Sequence, residues 1–492
     1  MKKNSLTTAV VAGLAGVAGF AGLANAVDLN PDGLGQVLIY PYYTVNKGQD
    51  TMLSVVNTAD IGKAVKVRFL EGYNSREVLD FNLFLSPHDV WTATIVAKGD
   101  DSSGGKLITH DRSCVYPDTA GGENIRTTGF SFRTAAFDGG YAPFPKDGGP
   151  TDVTRTREGY FEIISMGDIV PGSDLYDETL HAQGNGPNGG VPSCDKSVIG
   201  NNAGGYLVAP TGGLFGSVGI VNVAEGTYFA YNADAIDGFT DTVLFSGSAQ
   251  LTPSLAQANH LPAGGAAAGT RATAYVFQGG GSLVQLDYAN GIDAVSAVLT
   301  ADHIYNEYTV SSNIGSNTDW VVTFPTKRFY VDKYYVGATA VAPFVEVFNK
   351  ESNVEIGINV YDQEEGHGTV DDDISPPISS KPNALPFEVN VISWLTDTTA
   401  GAPSAVLGSK LRPNIPPYAD GGWAALDLAS GDAGHALRQD LNGKVLHGLP
   451  VTGFMGYSLV NGNISGGVLA NYGGLFRHRA SRLCTQGDVA CS

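Results

Sequence analysis

The residues of this chain that could do chemistry are mostly oxygen donors, and the chemistry they could do is calcium binding. Asp28-Leu29-Asn30-Pro31-Asp32-Gly33 opens like a calcium loop. In such a loop alternate oxygens (Asp28, Asn30, Asp32) face the ion and a glycine makes the sharp turn. The position that should close the loop with a carboxylate is Ile39, and Pro31 stiffens it. A second acidic stretch holds Asp362, Glu364 and Glu365, then Asp371, Asp372 and Asp373 beyond Gly366-His367-Gly368. Clustered carboxylates repel unless a cation or Lys/Arg neutralises them, so calcium is the one cofactor the sequence suggests.

Nucleophilic and redox chemistry find less support. Gly456-Tyr457-Ser458-Leu459-Val460 lacks the last glycine of a nucleophile elbow, which strand and helix need to pack closely there. None of the nine histidines forms the i, i+4 pair of a helical zinc site. Gly279-Gly280-Gly281 has neither the spacing nor the following helix of a phosphate loop. Cys114, Cys194, Cys484 and Cys491 show no C-x2-C spacing, so disulfides are expected rather than zinc. Cys484 and Cys491 enclose a short Gly-containing loop and should pair. That leaves Cys114 with Cys194. Two aromatic groups, Tyr40-Pro41-Tyr42-Tyr43 and Tyr334-Tyr335, could form a sugar-stacking face.

The elements that must hold these residues read as strands. Val65, Val67 and Phe69 alternate with Lys66 and Arg68, and Leu79, Phe81, Leu83 and Leu85 follow in the same rhythm. Period two with one apolar face predicts sheets packed on one side. Trp91, Ala93 and Ile95 continue it. Later strands are expected at Asp319–Phe324, Arg328–Val331, Phe344–Asn349, Val354–Val360 and Phe387–Val391, and near Trp423–Leu428. Leu53–Asn57 and Phe344–Asn349 then begin two similar runs, a weak internal repeat. Gly216–Val223 with Thr227–Asn232 reads as a hairpin, as do Phe454–Val460 and Val468–Asn471 around Asn461-Gly462-Asn463. Val295, Val298, Leu299 and Ile304 predict one helix, from Asp293 to about Tyr308.

The fold class expected is therefore mostly β: two or more antiparallel β-sandwich units of immunoglobulin-like kind, with long loop insertions and few short helices. The chain divides into a leader (1–26), N-terminal sandwich strands (27–99), a loop-rich insertion (100–213), hairpins with a short helix (214–312), a second sandwich region (313–476) and a basic, disulfide-closed tail (477–492). In that tail, Arg477-His478-Arg479 should pair with the body's own carboxylates.

The leader carries the firmest expectation. Lys2 and Lys3, an apolar run from Ala9 to Leu23, and Ala24-Asn25-Ala26 form a Sec-type signal peptide with cleavage before Val27. No later stretch of about twenty apolar residues follows to span a membrane. The net charge of −20 argues against nucleic acid as a partner. Charged residues make up only 16% of the chain, so Ser, Thr, Asn and Gly must supply much of the polar surface.

Four stretches resemble a known group: Gln36–Val45 (QVLIYPYYTV), Leu53–Thr58, Asp319–Lys327 (DWVVTFPTK) and Leu469–Gly474. Their wording is similar to exported proteobacterial proteins labelled only "cell surface protein". The resemblance implies location and transfers no catalytic residue. The function expected is that of a non-enzymatic exported cell-surface or extracellular protein, acting by self-assembly or attachment. The strand from Val37, near the free end after cleavage, could add to a neighbour's sheet. The alternative is a secreted hydrolase or carbohydrate-binding protein using carboxylates and aromatics in a cleft, with polysaccharide as partner.

Overall fold

The computed structural model describes residues 26–181, 190–260, 271–369, 383–394, 402–413, 420–431, 434–461 and 470–491. Within them the chain is mostly β, as the alternation requires. Four sheets make the body. A ten-stranded sheet runs Leu283–Tyr288, Ala272–Phe277, Val27–Leu29, Asp234–Asp237, Val37–Thr44, Glu158–Ile169, Gly62–Glu71, Glu77–Leu85, Cys114–Tyr116, with Leu207–Val208 beside Glu158–Ile169. A six-stranded sheet runs Phe130–Ser131, Gly105–Ile108, Val90–Ala97, Gln49–Asn57, Leu214–Asn222, Thr227–Asn232. A five-stranded sheet contains His367–Thr369, Gly357–Asp362, Gly421–Asp427, His303–Thr309 and Arg479–Ser481. A four-stranded sheet contains Val389–Ser393, Ser316–Thr323, Thr452–Leu459 and Tyr472–Arg477. Pairing is antiparallel apart from Val27–Leu29 against Ala272–Phe277.

Two apolar cores lie between these layers, and one strand feeds both. Leu38, Tyr40 and Tyr42 enter the core under the six-stranded sheet. Val37 and Ile39 point the other way, into the core that holds Trp320, Trp394 and Leu426. Successive side chains of a strand face opposite sides, so Val37–Thr44 knits the two halves together. Each large apolar side chain buried this way contributes roughly 2–3 kcal/mol.

Several expectations need correction. The strand Val37–Thr44 is buried along its length, paired with Glu158–Ile169 on one edge and, over Val37–Ile39, with Asp234–Asp237 on the other. It has no free edge to offer a neighbouring chain. Tyr40, Tyr42 and Tyr43 are fully buried, with Tyr40 stacked on Phe161 at 4.1 Å and its hydroxyl donating to the Ser54 carbonyl at 2.8 Å. They pack the core and present no sugar-stacking face. The strand Gly62–Glu71 is buried on both faces, Lys66 and Arg68 included, because the segments around Gly247 and Pro253 cover its polar side.

The helix stops early. It spans Gly291–Leu299, with the Asn290 side chain accepting from the Asp293 N–H. His303–Thr309 is a strand paired with Gly421–Asp427. Arg328–Val331 is a single helical turn, set off from the preceding strand by Pro325, which lacks a ladder donor. Phe344–Asn349 packs Phe344 and Phe348 into the core from a loop, so the proposed repeat loses its first matching strand.

Cys114 pairs with Cys194, and Cys484 with Cys491. Among the described residues, no helix is long and apolar enough to cross a membrane.

Candidate functional site

The densest gathering of reactive side chains is sealed inside the molecule. Arg155 holds Glu71 through two hydrogen bonds of 2.7 and 2.9 Å and reaches Asp147 at 2.5 and 3.1 Å. Arg76 donates to Asp332 at 2.9 Å, as does Asn74. Arg328 donates to Glu162 at 3.0 Å, and Arg68 to Glu77 at 2.7 Å. Beside them, burial pushes Glu388 up to about 8 and Lys327 down to about 8. Ser75 donates to Glu388 at 3.0 Å, and Lys327 donates to the Ser352 and Phe387 carbonyls.

This cluster joins Gly62–Leu85 and Glu158–Ile169 to the chain after Thr323, so it ties one half of the protein to the other. The void among Arg68, Arg76, Glu77, Arg328 and Asp332 measures about 10 Å³. Such a space suits at most one water. These side chains hold the fold and have no room for a substrate.

A second site is its opposite in character. The outer face of the six-stranded sheet forms the floor of a groove of about 1150 Å³. Alternation puts small and hydroxyl side chains there in register. One row runs Thr94, Met52, Gly219, Ala230. The next runs Thr92, Ser54, Ser217, Asn232, with the two serine hydroxyls 3.1 Å apart. Tyr228 lies flat across Gly219, where any Cβ would sit 2.6 Å from its ring. That leaves one face of the tyrosine open, and the residue is 53% exposed.

The strand Tyr472–Arg477 builds the wall with Leu475, Phe476 and Arg477, and Arg479 follows. Phe476 is 55% exposed. The buried carboxylate of Asp234 holds Arg477 in place, whereas Arg479 has no ion pair among the described residues. His478, between them, turns inward. Its Nε2 donates to the Val321 carbonyl at 2.9 Å and its Nδ1 accepts from the Asn306 amide, and burial lowers it to about 4. Of the basic triplet, then, only Arg477 pairs with a carboxylate of the body.

Phe476 also lines a second groove, of about 760 Å³. There Trp423, 41% exposed, stacks on Tyr361 at 4.2 Å. Glu307, Asp362, Gln363 and Glu365 surround it.

The expected calcium residues do not converge. Asp28 sits in the strand Val27–Leu29, cross-paired with Asp237, and burial beside that second carboxylate raises it to about 6. Asn30 is occupied by its own turn: Oδ1 accepts from the Asp32 N–H at 2.9 Å and the amide donates to the Leu34 carbonyl at 2.7 Å. Asp371, Asp372 and Asp373 lie outside the described residues. Among the described residues, no group of three or more His, Cys, Asp or Glu could hold a metal. Tyr334 and Tyr335 are partly exposed but turn on each other edge-to-face at 4.8 Å.

Met52, Tyr228 and Phe476 were not singled out from the sequence, and Arg479 entered only as a partner for the body's own carboxylates. The signal available was the outward register of Thr227–Asn232 and Val90–Ala97, which places Tyr, Ala, Asn, Val and Thr where charged residues usually stand.

No protein-family model, curated protein or solved structure matches the chain.

Proposed function

We propose that this is an exported, non-enzymatic interaction protein of the cell surface or extracellular space, which attaches to polysaccharide along the outer face of its six-stranded sheet. One observation carries the reading: an open groove floored by Ser, Thr and Asn side chains and bordered by the exposed ring of Tyr228. Aromatic faces suit the C–H faces of sugar rings, and the hydroxyl rows suit sugar hydroxyls. The two disulfides and the signal-like leader support export, as does the resemblance to cell-surface proteins. Ala26 and Val27 are buried, so cleavage before Val27 would have to precede folding.

Affinity electrophoresis through polysaccharide-loaded gels tests this. The folded protein should be retarded, and Tyr228→Ala should migrate freely with an unchanged melting temperature. Equal retardation of parent and variant would refute the site.

A second reading rests on the acidic groove, where Glu307, Asp362 and Glu365 flank Trp423. Two carboxylates about 5–10 Å apart across a sugar are the apparatus of glycoside hydrolysis. Release of reducing sugar that disappears in Glu307→Gln and Asp362→Asn would favour it.

A further inference from the structure

The groove's charge runs against that of the whole chain. Acidic residues outnumber basic ones 49 to 29. A lining drawn from that composition would be acidic. The groove over the six-stranded sheet has no Asp or Glu in its lining, but it has Arg477, Arg479 and His110.

The two arginines are differently placed. The Arg477 guanidinium is fixed by Asp234 and keeps further N–H donors for a ligand, since the group carries five. Arg479 has none of its charge matched by an ion pair among the described residues. A planar guanidinium accommodates a carboxylate through two parallel hydrogen bonds. Leu475 shares their wall, whereas the Phe476 ring stacks on Tyr457 on the strand's other side.

We propose that the occupant is an anionic, carboxylate-bearing polysaccharide. A sugar ring lies on Tyr228, and the carboxylates are read by Arg479 and Arg477. This rests on the polysaccharide reading above and adds the class of sugar. The acidic body repels such a polymer everywhere else, so the groove's local charge also sets where it lands. A second copy of this chain fits less well. It would bring its own net charge of −20, and a stable protein interface needs on the order of 1,000 Å² or more of matched surface, which a walled groove does not present.

The test is calorimetric titration of the intact folded chain with oligogalacturonate and, separately, with uncharged cello-oligosaccharide. Oligogalacturonate should bind, and more weakly as salt rises. Arg479→Ala should weaken it about tenfold, the cost of one charge-assisted hydrogen bond, and Arg479→Lys should restore part of the loss. Neither change should move the melting temperature. Equal affinity for both oligomers, or an unchanged Arg479→Ala, overturns the anionic assignment while leaving a polysaccharide site standing. Binding of neither oligomer overturns both. Self-association that depends on Arg479, seen by light scattering, replaces the sugar with a second copy.

Discussion

The joint between the halves and the groove over the six-stranded sheet invert the usual arrangement of a protein. Charges crowd the interior, where Arg68, Arg76, Arg155 and Arg328 meet five carboxylates, and the void lined by Arg68, Arg76, Glu77, Arg328 and Asp332 measures about 10 Å³. The open face, with about 1150 Å³ of groove, is made of Ser, Thr, Val, Met and Tyr. In a chain with only 16% charged residues, committing so many of them to the joint goes with a groove floor of neutral side chains. Reactive residue types and accessible space therefore separate, and it is the space that marks the working surface.

The largest effect should come from breaking the joint. Asp332→Ala leaves the buried Arg76 uncompensated and should cost about 3–5 kcal/mol in urea unfolding. Replacing Arg328 and Glu162 together by Met should cost much less, because no lone charge remains.

Next comes Glu388. Its folded pKa of about 8 lies above its ordinary 4.5, so the folded state keeps a proton that the unfolded chain releases. The parent should lose stability as pH rises from 4.5 to 8. Glu388→Gln should remove that loss and gain on the order of 2 kcal/mol over the parent across the window.

His478 has the opposite sign. Its folded pKa of about 4 lies below 6.5, so its contribution is complete above pH 6.5 and is lost as pH falls toward 4. His478→Gln should flatten that acid limb by roughly 1–2 kcal/mol. Both slopes are read from melting temperature against pH.

The smallest change in stability belongs to the groove. Thr94→Ala and Ser217→Ala should stay within about 0.5 kcal/mol of the parent. A loss like that of Asp332→Ala would mean the face is structural after all.

The difference between the regions also explains what could be read from sequence. Val65, Val67 and Phe69 announced a strand, and alternation revealed its two faces. Alternation is silent about what covers the second face. Lys66 and Arg68 therefore looked solvated, whereas Asp80, Glu77 and the Gly247 and Pro253 carbonyls, from distant parts of the chain, bury and pair them. The Tyr40–Tyr43 run looked like a binding face for the same reason. Thr300–Tyr308 read as helix because Val295, Val298 and Leu299 set a helical face just before it, yet pairing of His303–Thr309 with Gly421–Asp427 decided it as strand. The disulfide pairing was legible because loop length alone sorted four cysteines. The groove was not, since Tyr228 and Arg479 lie 251 residues apart in number and line one groove only through the packing of different sheets.

Oxidative footprinting of the intact protein, with and without oligogalacturonate, addresses the central claim most directly. Met52 and Tyr228 should lose reactivity on binding, while Tyr334, exposed on a different part of the surface, stays unchanged. Undiminished oxidation of both groove residues at saturating sugar, or protection that falls on Tyr334 instead, would contradict it.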